Sequence, residues 1–425
     1  MKVCIVSNIF PPHVRGGYEL GCESIAEQLV RDGHRVDVVT SAVVGKLDKA
    51  RPNTILNVHQ IFEPVFEYED SLNRVAGQSP LWLQRRRQAF GGVIPSNALA
   101  LARFLEAHTP DVVWIFNPLG LGPIGILESA QTTGARCVIH LMDHIDTVIS
   151  HHQGPEFPYY AARWRRVKAS VSAISCSRKI LTANSSLGRY RSHRVIYNGV
   201  DFAAIPNRPR ASIKGCVRFV YFGQVEEVKG VRHIAEAAAR LRREAANVEF
   251  EIDIIGRGSE EFRLNLQQFI EANALHRVVR LRGFVPRNEM LDTLCEYDAA
   301  LMLLSDLEPF AYAPIEAAAA GLPVVQTLGS GNAESLPAGY PLGVADRSDY
   351  GHVAERLKWC IENRASLPAI AADLRRHQQA LCDFHTVSMP SYLRVLRAAR
   401  PASTAFSTSD LIAADMTARG YALLA

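Results

Sequence analysis

The chain has 425 residues, with 47 Lys and Arg against 43 Asp and Glu, a formal net charge of +4, and 48% apolar residues. That length exceeds what one hydrophobic core usually supports, so two domains are expected. No stretch approaches the run of about 18 apolar residues that a spanning helix needs, and the eight cysteines carry no C-x-x-C or paired metal spacing; an ordinary globular protein of the cytoplasm with reduced, buried thiols is expected, binding no metal.

In chain order, Lys2–Ser7 reads as a buried strand that Asn8–Gly17 (NIFPPHVRGG) breaks with two prolines and two glycines. Tyr18–Arg31 has apolar residues at helical spacing, Gly33-His34 ends it, and Arg35–Thr40 (RVDVVT) is the next strand. Strand, Gly-rich loop, helix, strand opens a doubly wound domain. Asp111–Phe116 and Arg136–Leu141 are further strands, with an amphipathic helix between Asn97 and His108; Asn53–Phe90 shows no readable period. A second series begins near residue 216: strand Val217–Phe222, loop Gly223–Gly230, helix Val231–Glu244, then strands Phe250–Ile255, Val278–Arg282, Ala299–Leu304 and Val324–Thr327. Both halves alternate as βαβ units, so each should build a mainly parallel sheet with right-handed crossovers. Ligands of such sheets bind outside the strands' carboxyl ends, and two facing sheets make a cleft between them.

The most informative stretch is Glu308–Val325, EPFAYAPIEAAAAGLPVV. Glu308 falls in the loop at the carboxyl end of a buried strand. Pro314 suits the first position of a helix, which would put Glu316 in its first turn. Backbone N–H groups and the positive end of the helix dipole then lie between two carboxylates. Such a site can hold a phosphate at the helix start while the acids accept hydrogen bonds from sugar hydroxyls. Ala311 and Ala313 are small enough to let a ligand approach the backbone. In Gly223–Gly230 (GQVEEVKG), Lys229 sits before a helix start, the arrangement that holds a diphosphate.

Glu308–Val325 resembles the E-x7-E signature of the retaining glycosyltransferases of family four, with Ala311 where the family usually has Gly and Ala318 where it has Met. The likeness runs through several motifs over roughly residues 1–400. It implies the GT-B fold: α/β, two Rossmann-like doubly wound domains facing each other across a cleft. Residues 1–200 would be the acceptor-side domain and 201–385 the nucleotide-sugar domain. A helix at about 386–400 would return to the first domain, and 401–425 would form a tail. The family places Glu308 on the donor sugar and Glu316 on the ribose, with Phe310 and Ala311 also donor-binding. It usually has Arg where this chain has Gln224, so phosphate affinity rests more on Lys229. The likeness also implies that Gly16-Gly17 reach the leaving phosphate, that Gly256 belongs to a donor-binding G-x-G, and that the Phe284 loop recognises the base. Asn198-Gly199 is the family's linker element and reads as a tight turn. A His usually ends the strand here formed by Arg136–Leu141; this chain reads HLMDH, leaving His140 or Asp143 as candidates for that catalytic position.

The implied reaction transfers a sugar from a nucleotide-sugar donor to a hydroxyl acceptor, without cofactor or metal, since no D-x-D occurs. Alternatives are a GT-B epimerase, a pyridoxal-phosphate phosphorylase, or a non-catalytic nucleotide-sugar binder. Residues 1–200 hold 22 Lys and Arg against 16 Asp and Glu, the remainder 25 against 27. The basic clusters Arg85–Arg87 and Arg163–Lys168, beside Trp82 and Trp164, read either as solvated helix faces or as contacts with an anionic membrane carrying a lipid-linked acceptor. A nucleic-acid partner is not expected, because the other motifs suit a small anionic ligand.

Overall fold

The computed structural model describes residues 1–14, 16–42, 55–63, 88–151, 157–207, 215–245 and 247–401. They form two compact units, Met1–Ile196 together with the described residues from Ser391 onward, and Tyr197–Pro390.

The first unit carries strands β1 (Lys2–Ser7), β2 (Arg35–Ser41), β3 (Asn57–Phe62), β4 (Val112–Asn117), β5 (Arg136–Leu141), β6 (Ser172–Ser175) and β7 (Ser192–Val195). They run in the order β3-β2-β1-β4-β5-β6-β7, all parallel. The second carries β8 (Val217–Phe222), β9 (Phe250–Ile255), β10 (Val279–Gly283), β11 (Ala299–Met302), β12 (Val324–Thr327) and β13 (Gly343–Val344), ordered β10-β9-β8-β11-β12-β13, again all parallel. Both sheets are doubly wound, as expected. The central strands are near-continuous apolar runs because helices cover both faces: Val3–Val6 and Val112–Phe116 are each almost wholly buried. The edge strands β3 (NVHQIF) and β7 (SHRV) are polar and partly exposed, which is why periodicity does not find them.

In each sheet the chain starts centrally, winds to one side, then returns to continue on the other. The reversal falls between β1 and β4 in the first unit and between β8 and β11 in the second. A crevice opens at the carboxyl ends of such a strand pair, because their loops run in opposite directions.

Two local expectations are corrected. The helix in the two-carboxylate stretch spans Tyr312–Ala319, so Pro314 is its third residue and Glu316 its fifth, beyond the first turn. Pro is tolerated there because the N–H it lacks has no intrahelical acceptor in any case. Asn198-Gly199 makes no tight turn: it is extended and laced to the segment after helix Leu367–Cys382, with Val200 N–H donating to Cys382 O at 2.9 Å and Phe384 N–H to Val200 O at 2.9 Å. A Cβ on Gly199 would stand 2.8 Å from the Ser388 side chain, so close approach is what requires glycine. The terminal helix spans Met389–Ala398, after a π-turn over Phe384–Ser388. No helix among the described residues is long and apolar enough to cross a membrane.

Candidate functional site

In the second unit, the loops after β8, β9 and β10 are stitched by backbone hydrogen bonds. Gly223 N–H donates to Ile255 O at 3.0 Å, Val225 N–H to Arg257 O at 2.6 Å, and Gly256 N–H to Gly283 O at 2.8 Å. Gly256 has φ +152°, and a Cβ there would lie 1.7 Å from Gly223 O. The glycine is therefore required where two loops cross. Gln224 is exposed, and its carbonyl accepts from the buried Tyr221 hydroxyl at 2.6 Å. After it the chain makes a 3-10 turn, Glu227–Lys229, and enters helix Val231–Glu244. Arg347, which follows β13, holds this turn by donating to Val228 O at 3.0 Å.

That turn sets Lys229 Nζ 2.7 Å from Glu308 Oε2, with the two side chains 25% and 12% exposed. Lys229 follows β8 and Glu308 follows β11, so this ion pair spans the reversal point of the sheet. Two helix N-termini open beside these loops, those of Val231–Glu244 and Tyr312–Ala319. In the second, Ala311 N–H donates to Asn332 Oδ1 at 2.7 Å and Asn332 Nδ2 returns a bond to Ala311 O at 2.8 Å, and Pro314 has no N–H to offer an anion.

Glu316 is 7% exposed and is paired with Arg287, whose Nε lies 2.9 Å from Oε1. Phe284 is 53% exposed and lies under the Arg257 guanidinium, 3.7 Å from its ring centre. Phe310, expected on the donor, instead points inward: it is 3% exposed and stacks on Tyr197 with centroids 5.0 Å apart. Its carbonyl is held by Asn198 Nδ2 at 2.8 Å. The apolar ring belongs to the core and leaves its neighbours to face the loop surface. Sequence reading missed Arg287, Arg347 and Asn332, since none lies in a motif; they are polar residues brought in by folding.

In the first unit, Gly16 caps helix Gly17–Arg31 at the carboxyl end of β1, its N–H donating to Glu19 Oε2 at 3.0 Å; Gly17 is exposed. Asp143 follows β5 and is half-buried. Asn184 fixes its loop, with Nδ2 donating to Asp143 O at 2.8 Å and Oδ1 accepting from Asp146 N–H at 3.1 Å. His140 is corrected: it is 1% exposed and lies among Trp114, Phe116 and Tyr392, with centroids 4.8 to 5.9 Å away. Neither ring nitrogen has a hydrogen-bond partner, and burial lowers its pKa to about 3. A neutral ring enclosed by aromatic side chains does not reach a substrate.

Within the cluster Arg163–Lys168, the tryptophan and the lysine are corrected as membrane contacts, while Arg165 and Arg166 are exposed. Trp164 is fully buried and donates to Asp146 at 2.8 Å. Lys168 is buried with the same carboxylate at 2.8 Å, and Arg163 pairs with the buried Glu128. An interfacial tryptophan would need an exposed ring. Arg85–Arg87 and Trp82 lie outside the described residues, as does the expected tail beyond residue 401. Among the described residues no cluster of three or more His, Cys, Asp or Glu could hold a metal ion.

Comparison with known proteins follows this division. The family described as "Glycosyl transferase 4-like domain" matches residues 16–199, and "Glycosyl transferases group 1" matches residues 208–377. A glycogen synthase of Mycobacterium tuberculosis is 26% identical over 401 residues, 91% of this chain and 92% of that protein. An Escherichia coli protein, named provisionally as the colanic acid biosynthesis glycosyltransferase WcaL, is 31% identical over 164 residues, 37% of this chain and 39% of its own. Among solved structures, Anabaena Alr3699/HepE in complex with UDP and glucose superposes with a TM-score of 0.68 at 19% identity, covering 94% of this chain and all of that one.

Proposed function

The chain belongs to the glycosyltransferases that join a 4-like domain to a group 1 domain in the GT-B fold, and on that premise we propose that it transfers a sugar from a nucleotide-sugar to a hydroxyl acceptor with retention at the anomeric carbon. The observation that carries the donor site is the Lys229–Glu308 pair across the β8/β11 reversal point. Such a reaction develops positive charge on the sugar ring and negative charge on the leaving diphosphate. Lys229 has three N–H donors, so it can hold Glu308 and meet a phosphate oxygen together. With the N–H groups of the helix starts beside it, it stabilises the departing charge. Glu308 binds donor-sugar hydroxyls and fixes their orientation. Glu316 binds the ribose, and the Phe284 loop receives the base. Fixed cations and amides replace a metal, and no other cofactor is needed.

The acceptor in this reading is a hydroxyl on a cell-envelope polysaccharide or glycolipid, met at the cytoplasmic side of the membrane. The name of the WcaL relative and the positive excess of residues 1–200 support it. Because Gln224 stands where the family has a charged Arg, a donor-binding protein without turnover is the second reading. A thermal-shift screen of nucleotide-sugars, followed by NMR of the product's anomeric centre, tests both. A donor should raise the melting temperature and its sugar appear in the product with unchanged anomeric configuration. Inversion would refute retention, and a shift without turnover over an acceptor panel would favour the binder.

A further inference from the structure

Glu316 is a buried carboxylate one turn into helix Tyr312–Ala319, and its cation comes from another element. Arg287 is the first residue of helix Arg287–Thr293, directly after the loop that carries Phe284. Its Nε lies 2.9 Å from Glu316 Oε1, and its Nη2 donates to the same oxygen. A guanidinium commonly spans both carboxylate oxygens in a fork. Here both donors meet Oε1, and among the described residues no hydrogen bond is made to Oε2. The Arg287 side chain is 55% exposed and that of Glu316 only 9%, so the carboxylate depends on the pair far more than the guanidinium does.

We infer that Arg287 is a positioning residue for the nucleotide: by holding Oε1 it keeps the Glu316 carboxylate turned so that Oε2 accepts from the ribose hydroxyls. It also ties the Phe284 loop to the helix bearing Glu316, so that base and ribose contacts are set together. The inference rests on the reading of Glu316 as the ribose carboxylate, and its test separates the two.

UDP, GDP and ADP are titrated by calorimetry, and the tightest is compared with its 2′-deoxy and 3′-deoxy forms. The wild type should bind the ribonucleotide about tenfold or more tighter than a deoxy form, as expected for a charge-assisted hydrogen bond. In Glu316→Ala and in Arg287→Ala that ratio should fall below about threefold; in Arg287→Lys, which keeps charge without the fork, it should lie between. A pair with only a structural role would lower affinity for all forms alike and leave the ratio unchanged. Loss of the ratio in Glu316→Ala with a wild-type ratio in Arg287→Ala overturns the inference and leaves the ribose reading standing. A wild-type ratio in Glu316→Ala, or a ratio near one in the wild type, overturns both. If Arg287→Ala does not fold, Arg287→Gln carries the same comparison.

Discussion

Lys229 and His140 are cationic-type side chains that follow or end a central strand, and their surroundings give them opposite uses. Lys229 is partly exposed and paired with Glu308, so its charge is available to a diphosphate. Lys229→Ala should reduce turnover and nucleoside-diphosphate binding while leaving affinity for the bare nucleoside within about twofold, since only the phosphates meet the charge; calorimetry with both ligands checks this. Gln224→Arg should be neutral or favourable for diphosphate binding, and loss of binding would refute the placement of that exposed side chain. His140 is enclosed and neutral. Its folded pKa of about 3 lies below the unfolded value of about 6.5. The stability that it contributes is therefore present above about pH 6.5 and is lost as pH falls toward 3, by up to ~1.4 kcal/mol per pH unit. His140→Leu should flatten the acid limb of a urea-unfolding series by about 2 kcal/mol between pH 7 and pH 5 and should retain turnover.

At the scale of elements, the helix Phe157–Lys168 is anchored by two buried carboxylates, Glu128 through Arg163 and Asp146 through its last turn. Asp146 accepts from Trp164, from Lys168 and from Leu187 N–H at 2.8 Å each, while Lys168 also donates to Asn184 O at 2.7 Å. Burial lowers the Lys168 pKa, and Asp146 opposes that shift. Lys168→Met leaves a buried charge uncompensated and should cost about 3–5 kcal/mol in denaturant unfolding. The double variant Lys168→Met with Asp146→Leu should cost less than the single one if the desolvated charge is what destabilises. Because Asn184 also holds Asp143 O, Asn184→Ala should alter turnover more than it alters nucleotide affinity if the Asp143 loop meets the reacting sugar.

For the whole molecule, the proposed chemistry assigns to Lys229, helix N–H groups and glycine loops the work that a divalent ion does elsewhere. Turnover should therefore survive excess EDTA; full loss recovered by magnesium or manganese would refute the metal-free reading. The proposed membrane acceptor predicts binding to liposomes of anionic lipid above neutral ones, falling as salt rises. With Trp164 and Lys168 buried, that binding would have to come from other basic residues, and substituting the exposed Arg165 would test one of them. Equal or absent binding to both vesicles would favour a soluble acceptor.

The sequence by itself determined the βαβ alternation, the bounds of most central strands, the loops bearing Lys229 and Glu308, and the helix that follows Glu308. These follow from buried parallel strands being continuous apolar runs and from Gly and Pro marking strand ends, both local properties of the chain. Short or polar edge strands such as β7 and β13 escaped it, because an edge needs no apolar run. Only the tertiary structure decided which side chains face inward, turning His140, Phe310 and Trp164 from candidate contacts into core. It also supplied Arg287 to Glu316 and Asn332 to Ala311 from distant segments. Burial and pairing depend on what packs against a residue from elsewhere in the chain, and spacing along the sequence carries no record of that.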